Sequence, residues 1–313
     1  MKDVLVMGSA VLDVTAMPIE DQSSWKEKQR VDSISAAPGG DAVNQSIRLA
    51  DAGCTVDLCC SLGDDSLADF LETFLTKRGV DISHITRRKD VSTTSALVLI
   101  DGNGERHTFS VKGAHRYLDK TALETIHPED YHAISLASLF SMPVLEEDGL
   151  LDFLKQVHAF PDSRRPLVFA DLASDKAKQG IAGIERFLPY LDYFLPSIYD
   201  AENMTGLKDR MEITRYFQKK GVGTVVLKCG ADGCFCLQGE KGFLIPAAHV
   251  HPVDTTGAGD TFVAFLISQI IRKMPLYSAI HFANTGATLS TMYLGASNIK
   301  ISEEEIKHCK FDS

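Results

Sequence analysis

The apolar and polar positions of this chain fall into two repeating patterns. Short uninterrupted apolar runs cover residues 4–7, 55–62, 131–138, 167–171, 193–195 and 224–228. Runs of this length, without alternation, suit strands buried on both faces of a parallel sheet. Between them lie stretches with apolar residues at helical spacing. In 66–77, Leu67, Phe70, Leu71, Phe74 and Leu75 fall on one side and Gly79 follows as a stop; in the helix after Gly40, Val43, Ile47 and Ala50 do the same before Gly53. Further helices are predicted over 146–159, 183–190, 261–267 and 276–293. Strands alternating with helices imply an α/β fold with a mostly parallel central sheet and right-handed crossovers.

Two places interrupt that rhythm. Residues 16–29, which include Trp25, are polar and irregular, and 30–37 then alternate with β-branched residues. Later, 94–100 and 105–111 flank the turn Asp101-Gly102-Asn103-Gly104, which marks a hairpin. We expect the hairpin to pair with 30–37 as a small sheet outside the main one.

Composition narrows the function. The 313 residues, 44% hydrophobic and 24% charged, suffice for one large α/β domain, and a net charge of −10 argues against unspecific binding to nucleic acid or an anionic membrane. The partner is expected to be small. Seven cysteines without CxxC spacing, mostly in apolar runs, read as reduced thiols in a cytosol, and a cytoplasmic protein is expected. The first apolar run is too short for a signal peptide, and no run reaches the roughly 18 residues of a membrane span. Walker A, GxGxxG and zinc-like spacings are absent.

The stretch with the most chemistry is Asp254-Thr255-Thr256-Gly257-Ala258-Gly259-Asp260, followed by an apolar helix. Two glycines around one alanine let the backbone approach a ligand, and the N–H groups of Gly257, Ala258 and Gly259 would face it at the positive end of the helix. Asp260, one turn in, can take a proton from a hydroxyl attacking a phosphoryl group. As a lone GAGD this would more often be an ordinary helix start.

The whole string, D-T-T-G-A-G-D-T-F, resembles the second signature of the ribokinase (pfkB) family of carbohydrate kinases, and Gly39-Gly40-Asp41-Ala42-Val43-Asn44 resembles its first, G-G-x-x-x-N. The resemblance spans essentially the full chain, 1–313, as a single ribokinase-like three-layer α/β domain. It implies a β-sheet lid over the substrate, built from insertions at about 14–37 and 92–115, which in many members also forms a homodimer contact. It implies an ATP- and Mg2+-dependent kinase acting on a primary hydroxyl of a sugar. Asp260 would be the base and 257–259 the anion hole; Asp13, Gly39, Gly40, Asp41 and Asn44 would hold the sugar. Lys228, Gly230, Gly233, Asn284 and Asp200 would serve the nucleotide and its metal, and the small residues Ala283, Gly286 and Ala287 would either leave room for adenine or serve helix packing. Asp254 and Thr256 resemble positions that offer oxygens to a monovalent cation, commonly K+.

The sequence departs from the family in three places. Asp41-Ala42 stands where ribose-specific members carry Lys-Gly. Only Asp171 remains of a D-x-N-x-R segment, and N-x-x-E is reduced to Ser197 and Asp200, with Glu202 nearby as a substitute. An acid at Asp41 suits a neutral, hydroxyl-rich sugar and repels an anionic one. Two alternatives follow. A nucleoside kinase of the same fold would need aromatic or apolar lid residues to stack on a base, with Phe109 and Tyr117 as candidates, and a non-catalytic sugar sensor would have no need of Asp260. Arg30, Arg106, Lys112 and His115 are the cations that could face the substrate.

Overall fold

The computed structural model describes residues 1–19, 30–103, 105–175 and 177–309. The main sheet is assembled around β1 (Lys2–Met7), whose residues alternate between two cores. Val4 and Val6 face one and Leu5 and Met7 the other, and all four are fully buried. That is why the run carries no polar position. The strand β2 (Val11–Ile19), then β3 (Ser33–Gly39), leave the main sheet, and the chain returns through helix α1 (Asp41–Asp51) to β4 (Val56–Gly63) beside β1.

Helix α2 (Ser66–Lys77) leads to β5 (Val80–Asp81) and β6 (Ile85–Arg88), both paired to β4. A second excursion, β7 (Ser95–Asp101) and β8 (Arg106–Ser110), joins β2 and β3 in a four-stranded sheet of order β3-β2-β7-β8. On the other side of β1 come β9 (Tyr131–Leu139), helices α3 (Pro143–Glu147) and α4 (Leu150–His158), and β10 (Leu167–Leu172). Then follow α5 (Ile181–Ile184), β11 (Tyr193–Phe194), α6 (Ile198–Thr205), α7 (Arg210–Lys219), β12 (Thr224–Lys228) and the antiparallel edge β13 (Cys234–Gln238) and β14 (Lys241–Ile245). The sheet runs β14-β13-β12-β11-β10-β9-β1-β4-β5. Helices α8 (Ala258–Ile271), α9 (Leu276–Ser290) and α10 (Glu303–His308) close the chain.

One core gathers side chains of α1, α2, α8 and α9, and the other those of α3, α4, α6 and α7, so the sheet is sandwiched between two helical layers. Six of the seven cysteines are buried thiols, and Cys309 is partly exposed. No described helix is long and apolar enough to cross a membrane.

Several expectations need correction. The small sheet exists, but the hairpin pairs with β2, and the segment 30–37 contributes β3 on the far side of β2. Residues 16–19, read as irregular, belong to β2; Trp25 lies outside the described residues. The helix over 146–159 is two helices, broken where Gly149 takes φ 126°. Helix 183–190 is a short α5 and a separate 3-10 turn at Leu188–Tyr190, and α9 ends at Ser290 rather than 293.

Candidate active site

The parallel strands deliver their loops to one edge of the sheet, where ligands of open α/β folds collect. Gly8 and Ser9 leave β1 there, Asp171 lies near the end of β10, and Lys228 ends β12. Helix α8 starts at the same edge. Its N-cap, Gly257, takes φ 73°, and a Cβ there would lie 2.4 Å from that of Ala296, so only glycine fits. Ala258 N donates to Thr255 O at 3.2 Å, closing a turn that brings the N-terminus of α8, the end of a helix that attracts anions, to this edge. A Cβ on Gly259 would sit 3.3 Å from Lys228 Nζ, so the Lys228 ammonium stands directly over this turn.

Asp260 is 7% exposed and is held from behind by α1. Asn44 Nδ2 donates to Asp260 Oδ2 at 2.9 Å, and Gln45 Nε2 to Oδ1 at 3.4 Å; Ser135 Oγ in turn donates to Gln45 Oε1 at 2.8 Å. Burial, and then the neighbouring Asp171, push the Asp260 carboxyl up to about 7, against the opposing effect of Asn44, Lys228 and Gln45. Asp41 is pushed well above the usual range by burial and by the charges of Asp260 and Asp171. Asp171, 4% exposed, accepts from Lys228 Nζ at 2.5 Å, and burial raises it despite that partner.

Two cavities meet at this turn. One, of about 280 Å³, is lined by Asp13, Gly40, Asp41, Asn44, Asp254, Thr256, Gly257 and Asp260, by Leu294, Gly295, Ala296 and Asn298, and by the small sheet. Register explains which lid side chains face it. Asp13, Thr15 and Met17 of β2, Ser33, Ser35 and Ala37 of β3, and Val98 and Ile100 of β7 line the cavity, and they share one face of the sheet. Val14, Ala16, Ile34, Leu97 and Phe109 occupy the opposite face. Gly39 backs Asp13 so closely that a Cβ would lie 2.2 Å from Asp13 Oδ2, and burial raises the Asp13 carboxyl. Asn44 Oδ1 is buried with no hydrogen-bond partner.

The second cavity, of about 360 Å³, is lined by Gly230, Ala231, Ala247–Val250, Pro252, Thr255, Ala258, Asn284, Ala287, Thr288 and Thr291. Within the motif, Thr256, Gly257 and Asp260 border the first cavity while Thr255 and Ala258 border the second. The turn is a partition one residue deep.

Not every candidate gathers here. Gly233 packs behind the turn, where a Cβ would meet Ile245 O at 2.0 Å, and does not line the cavity. Asn284 lines it and donates to Pro246 O at 2.8 Å. Ala283 is fully buried and a Cβ on Gly286 would strike Phe265 at 2.5 Å, so these two serve helix packing and only Ala287 of the three borders the cavity. Ser197 caps α6, accepting from Asp200 N at 3.0 Å and donating to Asp200 Oδ2 at 2.5 Å. Asp200 lies near Asp171, raising its carboxyl, and opens into a separate cavity of about 510 Å³ with Phe140, Tyr199 and Met204. Glu202 is paired with Lys208 at the surface. Arg30 and Lys112 are exposed, and neither they nor His115 line the first cavity. The side chain of Arg106 lies outside the described residues.

Asp254 organises the turn from below. Its Oδ1 accepts from Thr256 N at 3.0 Å and Thr256 Oγ1 at 2.7 Å, and Oδ2 accepts from Gly295 N at 3.0 Å. No local motif singles out Gln45 and Ser135, and the ion pair of Asp171 with Lys228 joins residues 57 positions apart.

A helix N-terminus that separates two cavities, with a buried carboxyl group beside it, suits an anion held between two bound molecules. The chain belongs to the pfkB family of carbohydrate kinases, whose description matches residues 1–303. It is 24% identical over 288 residues to the ribokinase of Haemophilus influenzae, covering 87% of each chain. It is 28% identical over 278 residues to the 2-dehydro-3-deoxygluconokinase of Bacillus subtilis, covering 85% of this chain and 84% of the other. A putative ribokinase II from E. coli, solved in complex with ATP and Mg2+, superposes with a TM-score of 0.84 at 19% identity, covering 98% of both chains.

Proposed function

We propose that this protein transfers the γ-phosphoryl group of ATP to a primary hydroxyl of a neutral sugar bound under the lid. The observation that carries the reading is the lining of the first cavity. It presents Asp13, Asp41, Asn44 and Asp260 together, has no Lys or Arg among its described residues, and includes a buried acceptor, Asn44 Oδ1, without a donor. Hydroxyl groups satisfy such a lining and an anionic sugar does not. A sugar acid of the kind named for the Bacillus relative would meet four carboxylates.

In this reading Asp260 accepts the hydroxyl proton, and the oxygen forms its bond to the γ-phosphorus as the bond to the β–γ bridging oxygen breaks. The 257–259 amides and Lys228 meet the negative charge on the transferring group. Asp13, Asp41 and Asn44 orient the hydroxyls, so much of the rate gain comes from placement. The second cavity takes the nucleotide, with Gly230 at its phosphate end and Asn284, Ala287 and Thr288 toward the base.

Asp200, with one oxygen held by Ser197, would offer the other to Mg2+, and Asp171, whose oxygens accept from Lys228 and Leu172 N, would add negative charge beside it. Bound there with the phosphates, Mg2+ would neutralise charge on the β- and γ-oxygens. The oxygen-rich turn at Asp254 and Thr256 supports K+ as an activating cation. The lid's outer face, with Ile34 71%, Leu97 41% and Phe109 56% exposed, supports a homodimer. Phe109 lies on that outer face and Tyr117 outside the cavity, so the aromatic pair a nucleoside kinase would use is not in place.

The reading is tested by ADP release with Mg·ATP and K+ across pentoses, hexoses, sugar acids and nucleosides. Selective turnover of a neutral sugar is expected; turnover confined to sugar acids or nucleosides would overturn it.

A further inference from the structure

Arg48 is the largest fully buried side chain among the described residues, and no step above uses it. It lies one turn beyond Asn44 on α1. Its guanidinium donates to Ile299 O at 2.8 Å from Nη1 and to Ala296 O at 2.7 Å from Nη2, and Nη1 also reaches Asp51 Oδ2 at 3.1 Å. Asp51 is shared. It accepts from Arg78 Nη2 at 2.7 and 2.9 Å and from Ile301 N at 3.3 Å, while Arg78 Nη1 donates to Ser297 O at 3.0 Å. Two guanidinium groups bridged by one carboxylate thus hold three carbonyls of a segment that has no strand or helix of its own.

That segment is one wall of the sugar cavity. Leu294, Gly295, Ala296 and Asn298 line it, Ala296 rests on Gly257, and Gly295 N donates to Asp254. The nucleotide cavity includes nothing beyond Thr291. A buried guanidinium is expensive to desolvate, and an apolar side chain of similar volume could seal this joint at least as stably. What the guanidinium adds is direction, because its planar fork fixes where the carbonyls stand.

We infer that Arg48, acting through Asp51 and with Arg78, is a positioning residue that sets the 294–298 wall of the sugar cavity relative to α1, the helix that holds the base. The inference rests on the sugar-kinase reading. It makes the acceptor side of the reaction depend on an ion-pair cluster that touches neither substrate.

Arg48→Lys keeps the charge and removes the fork. Arg78→Met removes one clamp from a side chain 18% exposed, and it carries the test if Arg48→Lys does not fold. With the neutral sugar that gives fastest ADP release, KM for sugar should rise on the order of tenfold in each variant while KM for ATP stays unchanged. Hydrogen exchange on the sugar-free protein should accelerate at amides 294–299 and remain unchanged in 258–271. Equal increases in both KM values, or an unchanged KM for sugar, would overturn the inference. Wild-type protein that phosphorylates no sugar would remove the kinase reading instead. The clamp then stands or falls on whether faster exchange is confined to 294–299.

Discussion

Asn44 and Asp260, 216 positions apart, are joined by a 2.9 Å hydrogen bond that couples the proposed sugar contact to the proposed base. Asn44 donates through Nδ2 and leaves Oδ1 facing an unmet need for a donor. A hydroxyl that donates to Asn44 Oδ1 is thereby set close to the carboxylate that would deprotonate a neighbouring one. Asn44→Ala should raise KM for the sugar by about tenfold and lower kcat as well, because both the contact and the orientation of the base are lost. A change in KM alone, in steady-state kinetics, would separate the two roles.

Asp260→Asn keeps the shape but removes the proposed base, and it sets an NH2 group against one of the two amide donors, Asn44 or Gln45. Turnover should fall by roughly 10² to 10⁴, with sugar binding retained in calorimetry. Near-normal turnover would show that another group takes the proton.

The raised Asp260 carboxyl predicts the acidic limb of the rate profile. The ionised form is the working one, so kcat/KM should rise as pH passes about 7. Gln45→Leu removes a donor that favours the ionised form, so the limb should move to higher pH. The same shift has a stability sign. Between the unfolded carboxylate range and about pH 7 the folded state holds the extra proton, so this group's contribution falls as pH rises. The melting temperature of wild type minus that of Asp260→Asn should therefore fall as pH rises from about 5 to about 8, and a difference that stays constant or grows would contradict the burial argument.

Replacing K+ by tetramethylammonium should lower turnover if the Asp254 and Thr256 turn takes a cation. Turnover measured at constant ionic strength and found indifferent to the exchange would remove that role.

Phe109→Glu combined with Ile34→Lys places charge on the outer lid face. Sedimentation should show a shift from dimer to monomer, and an unaltered sedimentation coefficient would place any interface elsewhere.

The main sheet was legible because its strands lie between two cores and are mostly apolar, as in β1 and β12, with Asp57 and Ser61 of β4 and Ser135 and Ser138 of β9 as buried polar exceptions. The lid was legible only in part. In β2 one face borders a cavity, so Asp13 and Thr15 sit where a core strand would be apolar, and Pro18 adds a turn signal. Function wrote over the pattern that marks a strand. The motif at 254–260 could be read directly, since its anion turn and base lie on consecutive residues. Gln45, Ser135 and the pairing of Asp171 with Lys228 could not, because the fold brings them together across long stretches of chain that carry no local signature.

The alternation along the lid strands bears on how this protein could change over generations. Thr15, Met17, Ser33, Ser35, Val98 and Ile100 lie on strands apart from Asp260 and the 257–259 turn, so in the proposed kinase acceptor preference should drift by single substitutions there while the proposed base stays in place. A one-residue insertion within the same strands would instead turn every inward side chain outward. Lineages that diverge in acceptor should therefore differ at these positions by replacement, and carry their length changes in the connecting loops.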